Sequence, residues 1–215
     1  MKKLIYKEIM LAMHPTAPIF LLLSAMLLIP NYPYGVIFFY TSLAVFFTCL
    51  TGRENQDVSF TMLLPVRKRD VVKARFALAA GLELCQMAVA VPFAAVRQHM
   101  WLPGNQVGMD ANIPLFGLAF VMLGLFHLVF FGIYYQDVRK VGKAFVVSSA
   151  VIFLYIGAAE TLTHILPFLR DHMDTPDPRY LGEKLIFLLA GAALYLVMTL
   201  AAFYKAVRDF EGQDL

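Results

Sequence analysis

Between Ile113 and Tyr135 the chain reads "IPLFGLAFVMLGLFHLVFFGIYY", without a single Asp, Glu, Lys or Arg. A hydrocarbon core roughly 30 Å thick takes about 20 apolar residues of helix, and it offers no water to backbone amides. Few other environments accept such a run. Comparable stretches recur at approximately 16–30, 34–51, 73–96, 144–168 and 183–204, separated by short polar breaks. With 60% hydrophobic and only 15% charged residues in a 215-residue chain, there is more apolar surface than one soluble core could bury. The sequence therefore predicts an all-α integral membrane protein with six transmembrane helices, forming a single domain over residues 1–215.

The first stretch is the shortest, and Pro15 and Pro18 stand at its start. Lys2 and Lys3 precede it as they would in a signal peptide, but the apolar run begins late and ends in Pro30-Asn31-Tyr32-Pro33, without a small-residue cleavage site. Upstream of it, Lys3, Lys7 and His14 share one helical stripe while Ile5, Ile9, Ala12 and Met13 lie opposite. That arrangement predicts an amphipathic helix over 1–15 lying in the membrane interface. Cys49 and Cys85 both fall within expected spans, too few for a disulfide framework or a metal cluster.

Orientation follows from the basic residues. If the N-terminus is cytoplasmic, that side holds Lys2, Lys3, Lys7, Arg53, Arg67, Lys68, Arg69, Lys73, Arg75, Arg139, Lys140, Lys143, Lys205 and Arg208, leaving Arg97, Arg170, Arg179 and Lys184 outside. Fourteen against four predicts both termini on the cytoplasmic side after six crossings. The net charge of +3 then reads as topology and contact with anionic membrane lipid, with no nucleic acid required. The expected outer loops are 30–33, 98–112 and 169–182, the last acidic and proline-bearing and expected to form a solvated cap.

The largest cytoplasmic segment is "TGRENQDVSFTMLLPVRKRDVVKAR", Thr51 to Arg75. Thr51 and Glu54 have the spacing of a capping box, which predicts a short helix over 53–64 broken by Pro65, with the next helix starting near Val66. Val58, Leu63 and Leu64 can face the membrane or neighbouring spans, while Arg67, Lys68 and Arg69 anchor the third span at the headgroups. On spacing alone, a basic stop-transfer loop and a partner-docking helix both remain open.

The order "E-N-Q-D…F-x-x-L-L-P-V-R-K-R-D-V-V-K-A-R" between the second and third spans resembles the permease subunits of ABC exporters of the type-2 class. Within that class it is similar to the small bacterial permeases related to the phenol-soluble-modulin exporters. The resemblance implies a coupling helix within 52–72 that docks on a separate ATP-binding subunit, with Glu54, Asn55, Asp57, Phe60, Leu64 and Pro65 as the interface positions. It also implies a second permease subunit, identical or related, and a place in the bacterial cytoplasmic membrane. The triple-basic Arg67-Lys68-Arg69 and the short loop before the last span depart from the family pattern, so the substrate (peptide, lipid or small amphiphile) is not inherited. No G-x-x-x-x-G-K-[ST] occurs, and Val141-Gly142-Lys143-Ala144 lacks the first glycine and the hydroxyl. No cofactor is expected on this chain; ATP and magnesium would be held by the partner. The turn Gln136 to Lys140 is a second, lesser candidate contact.

Within the expected spans lie Glu83, His127, Glu160 and His164. Ionisable groups at depth are costly, and each is a functional candidate by default. At about 1.5 Å per residue, Glu83 lies roughly 12 Å beyond Arg75, near mid-bilayer, and Glu160 roughly 25 Å beyond Lys143, near the outer boundary. Glu83, Glu160 and His164 are therefore candidates for a translocation path or gate, the last two paired at i,i+4. An intramembrane zinc hydrolase would need a third ligand that the lone Glu-x-x-x-His lacks, so no catalytic residue is expected. A membrane protein not driven by ATP, such as a small carrier or an immunity or stress factor, is the alternative.

Overall fold

A computed structural model describes residues 2–100 and 104–213, and it is helical almost throughout, with no strand among the described residues. Helix α1, Lys2–Ala12, is followed after a bend of 84° by α2, Ala17–Leu28. Helix α3 covers Gly35–Glu54, the short α4 Asp57–Met62, and α5 Lys68–His99. After a loop come α6, Ile113–Tyr134, and α7, Val141–Ile165. A single π-helical turn, α8, Leu169–Met173, precedes α9, Leu181–Glu211.

Five of these helices, α3, α5, α6, α7 and α9, are long and apolar enough to cross a membrane; a sixth is reached when the bent pair α1 and α2 is taken as one span. The expected first span is thus shorter than 16–30. Pro15 and Pro18 bracket its first turn, its last six residues tighten into a 3₁₀ helix, and Pro30 closes it. Its ends nevertheless touch opposite poles of the bundle. Before α2, the His14 amide donates to Thr48 Oγ1 near the C-terminal end of α3, and beyond α2 the Gln106 amide donates to Asn31 Oδ1. Of the other helices, α5 and α9 overrun their expected limits at both ends, α3 overruns only at its C-terminal end, α6 keeps within its expected span, and α7 starts three residues early and ends three short; α5, at 32 residues, is about 48 Å long, so it protrudes past the hydrocarbon.

Close contact between α6 and α9 organises the bundle, and glycines allow it. A Cβ on Gly191 would stand 2.4 Å from the Gly117 carbonyl oxygen, and one on Gly124 would stand 3.1 Å from Tyr195 Cα. In lipid, where tails are as apolar as leucine, such backbone approach is a main source of helix association. Phe76 on α5 fills the half of the core toward α4 against Phe131 and Tyr135 of the α6 end and Phe203 of α9, with ring centroids 4.2 to 6.5 Å apart.

At the pole away from α4, the loops are knitted together. Asn112 Nδ2 donates to the Met173 carbonyl, the Asp110 amide to Asp174 Oδ1, and the fully buried Lys184 ammonium reaches Asp177 Oδ1 at 2.8 Å. The expected solvated cap is therefore only partly solvated: Met173 and Thr175 are buried, while Arg170, Asp171 and Arg179 remain exposed. Burial raises the Asp174 carboxyl to about 6, against the Asp110 amide, which favours its charged form.

Candidate functional site

The charged pole is built around Arg75, two turns into α5 and buried. Its Nε lies 2.6 Å from Glu8 Oε2 and its Nη2 2.8 Å from Asp57 Oδ2, so one guanidinium joins α1, α4 and α5. Lys7 completes the cluster, pairing with Asp57 Oδ1 at 2.5 Å and donating to Thr61 Oγ1 at 2.9 Å. Glu8, 1% exposed, reaches this position because α1 lies across the end of the bundle and a π-helical turn begins at that residue. A planar fork with several fixed donors is the group suited to holding two carboxylates.

The local backbone differs from the expected capping box. Helix α3 runs on through Thr51 to Glu54, so the Thr51 carbonyl accepts from the Asn55 amide as part of a helix end. The break falls at Gln56, whose left-handed φ of 52° turns the chain into α4 without a side-chain cap. The short helix is consequently Asp57–Met62 and not 53–64. Pro65 follows it, and α5 starts at Lys68 with Arg67 as its extended N-cap.

This geometry divides the six expected interface positions. Asp57 turns inward to Arg75 and Lys7. Glu54, Asn55, Phe60, Leu64 and Pro65 stand exposed, Phe60 at 64% and Leu64 at 58%, and Leu63 beside them is 81% exposed. Leu63 and Leu64 thus face away from the bundle, whereas Val58 is buried in it as expected. Arg67 and Arg69 flank this apolar tip. The α6–α7 turn closes on itself through Asp137, which takes Arg139 Nε at 3.4 Å and Lys140 Nζ at 3.0 Å, and this cationic company holds its carboxyl below the usual range.

A second cluster lies at mid-bundle. Tyr195 of α9 donates its hydroxyl to Glu83 Oε2 at 2.7 Å, and His127 Nε2 stands 3.0 Å from Glu83 Oε1. His127 Nδ1 meets Thr199 Oγ1 at 2.9 Å. Glu83 and His127, named from sequence as separate intramembrane groups, are therefore one network with α9, and the π-helical turn His127–Phe131 sits at the junction. Tyr195 and Thr199, spaced i,i+4 in an otherwise apolar run, were the legible signal for the third helix. Glu160 and His164 are not joined by a hydrogen bond: His164 is exposed, and Glu160 packs against Gly108 with its Oε1 unpaired. Among the described residues no group of three or more His, Cys, Asp and Glu could hold a metal ion.

Several membrane-long apolar helices in an all-helical chain define a multi-pass membrane protein. Residues 3–210 match the family model described as ABC-2 family transporter protein. The chain belongs to this family, and it is a permease component of an ABC transporter, a kind of subunit that normally works with an ATP-binding subunit. No curated protein and no solved structure matched.

Proposed function

We propose that this permease belongs to an ATP-driven exporter in the bacterial cytoplasmic membrane, and that α4 is the coupling helix that docks on a separate ATP-binding subunit. The observation that carries this reading is the two-sided character of α4. Its inner face is tied by Asp57 and Thr61 to Arg75 and Lys7, and its outer tip bares Phe60, Leu63 and Leu64 to solvent. Exposed large apolar side chains on a rigidly held element are characteristic of a partner site. A push on that tip would pass through the Arg75 cluster directly into α5 and α1. Glu54, Asn55 and Pro65 complete the docking face, and Asp57 acts from within by setting the angle of α4.

Six crossings with both termini cytoplasmic are supported by the contacts of α2 with opposite poles and by Lys68 Nζ, which binds the Glu211 carbonyl at the end of α9. One 24.2 kDa bundle packed shut through Glu83 and Gly191 leaves little room for a wide path, so two permease subunits, identical or related, would form it between them. A peptide, lipid or small amphiphile would be the exported molecule, with ATP and magnesium on the partner. Glu83 is proposed as a positioning residue for the three helices that move together, and Glu160 and His164 as groups at the outer exit.

The test is co-purification. An interface anchor can carry more than about 2 kcal/mol, roughly thirtyfold in affinity. Phe60→Ser with Leu63→Ser alters only exposed side chains, so the double variant should insert and fold normally yet lose its ATP-binding subunit and transport together. Normal co-purification and transport would remove α4 from the coupling role.

A further inference from the structure

We infer that the outer end of α5, residues 93–99, is a hinged arm that pivots at Pro92 and is latched to the α6–α9 side by Gln98. The hinge is a matter of backbone chemistry. Proline has no amide hydrogen, so the Ala88 carbonyl loses its helix partner, and the pyrrolidine ring crowds that same carbonyl. Pro92 nevertheless stands inside a helix that runs unbroken from Lys68 to His99, at an exposed position. Sharp helix bends concentrate at such residues.

The packing on the two sides of Pro92 differs. Roughly 9 to 14 Å before it, Gln86 Nε2 donates to Ser24 Oγ at 2.8 Å, and Glu83 accepts from Tyr195 and stands 3.0 Å from His127. That stretch is held to α2, α6 and α9 together. Beyond Glu83 and His127, α5 and α6 part around a cavity of about 550 Å³, bordered on the α5 side by small side chains such as Ala88, Val91 and Ala95. The two helices are joined at mid-bundle and again at the outer end of α5, with the gap between.

The outer joint is Gln98, roughly 9 Å beyond Pro92. Its Nε2 donates to the Ala111 carbonyl at 2.8 Å and to Asp177 Oδ2 at 3.0 Å, and its Oε1 accepts from the Asp177 amide at 3.1 Å. The division of charge makes this joint releasable. Asp177 has Lys184 Nζ at 2.8 Å and the Ile113 amide at 3.1 Å on its own side, so parting withdraws a neutral amide and strands no buried charge. Gln98 is half-buried and borders a polar cavity of about 290 Å³ with Asn112 and Thr175, where water can take over its bonds at small net cost. Arg97, next to it, donates from Nε to the Tyr34 hydroxyl at 3.1 Å, which keeps the arm beside the start of α3 as it leaves α6. Release widens the α5–α6 gap and joins it to the polar cavity, since Gln98 and Asn112 are walls of both. The device is a property of α5, whichever partner acts on α4.

Distances between paired spin labels test it, in full-length permease in lipid nanodiscs, diluted with unlabelled copies and carrying Cys85→Ala to remove the exposed thiol. One pair, Val96→Cys on the arm with Leu181→Cys at the start of α9, spans the latch; a second, Leu84→Cys with Leu194→Cys, lies on the inner side of Pro92, and all four positions are exposed. Gln98→Ala should raise the longer-distance population of the first pair at least threefold over the parent and leave the second pair unchanged. The shorter Gln98→Asn, which keeps the amide but not its reach, should give a smaller rise in the same direction. Adding Pro92→Ala to Gln98→Ala, which restores the helix amide, should return the first pair to its latched distance. No rise in either Gln98 variant, persistence of the longer distance with Pro92→Ala, or equal broadening of the second pair would each overturn the arm.

Discussion

Arg75 illustrates what a single residue does that its place in the sequence does not announce. By position it is one more basic residue at a membrane boundary; by contact it neutralises Glu8 and Asp57 in a site it shares with Lys7. Burial of the Glu8 carboxylate is tolerable only while that guanidinium is present. Removing one partner of a buried pair typically costs about 3–5 kcal/mol, so Arg75→Met should sharply lower the melting temperature of the detergent-solubilised permease. Arg75→Lys should recover only part of the loss, since a point charge cannot reproduce a fork that contacts two carboxylates. Thermal unfolding of the two variants by fluorescence-detected gel filtration checks the order wild type, Lys, Met. Asp57 was legible as a polar interface candidate, but its inward turn was not. The inward turn depends on α1 returning across the bundle end, a contact between residues more than sixty positions apart along the chain.

At the scale of elements, the spans were the most legible part of the fold, because a run such as 113–135 has no alternative to a helix in or against lipid. Their ends were less so. The Thr51 and Glu54 pattern matches a capping box, yet α3 continues through it because those residues still stack on its last turn, and the chain breaks where Gln56 takes a left-handed conformation. The α6–α9 crossing was also hidden, since Gly117, Gly124 and Gly191 have meaning only once the helices are side by side. Gly191→Leu should prevent that approach, with its Cβ alone 2.4 Å from the Gly117 oxygen, and cysteine crosslinking between α6 and α9 would report their separation. The loop cap makes a separate prediction. The Asp174 carboxyl is raised to about 6 from 3.8, so the folded cap binds that proton more tightly than the unfolded chain. Its stabilisation is fully present below about pH 4 and is lost as pH rises through about 6. Amide protection factors across 104–112, corrected for the intrinsic pH dependence of exchange, should therefore be higher at pH 5 than at pH 7.5, and Asp174→Asn, which keeps an acceptor for the Asp110 amide, should flatten the difference.

For the whole molecule, the Arg75 cluster joins α1, α4 and the start of α5 at one pole, where Lys68 also holds the end of α9, while the opposite pole is a cap bonded in part through the buried Lys184 and Asp177. Between them the bundle is closed by two ties, Glu83 with His127 and Tyr195 at mid-height and the glycine crossing of α6 and α9. A force applied at the α4 tip would have a stiff route into α5, and through Glu83 into α6 and α9. The claim that this tip meets an ATP-binding subunit is tested most directly by placing a photo-crosslinking amino acid at Phe60, in cells that carry the intact transporter, with Val107 at the far pole as the comparison. The product formed from position 60 should contain a polypeptide bearing a G-x-x-x-x-G-K-[ST] phosphate loop, and position 107 should yield none. Crosslinking of position 60 only to lipid or to a second copy of this chain would contradict the account.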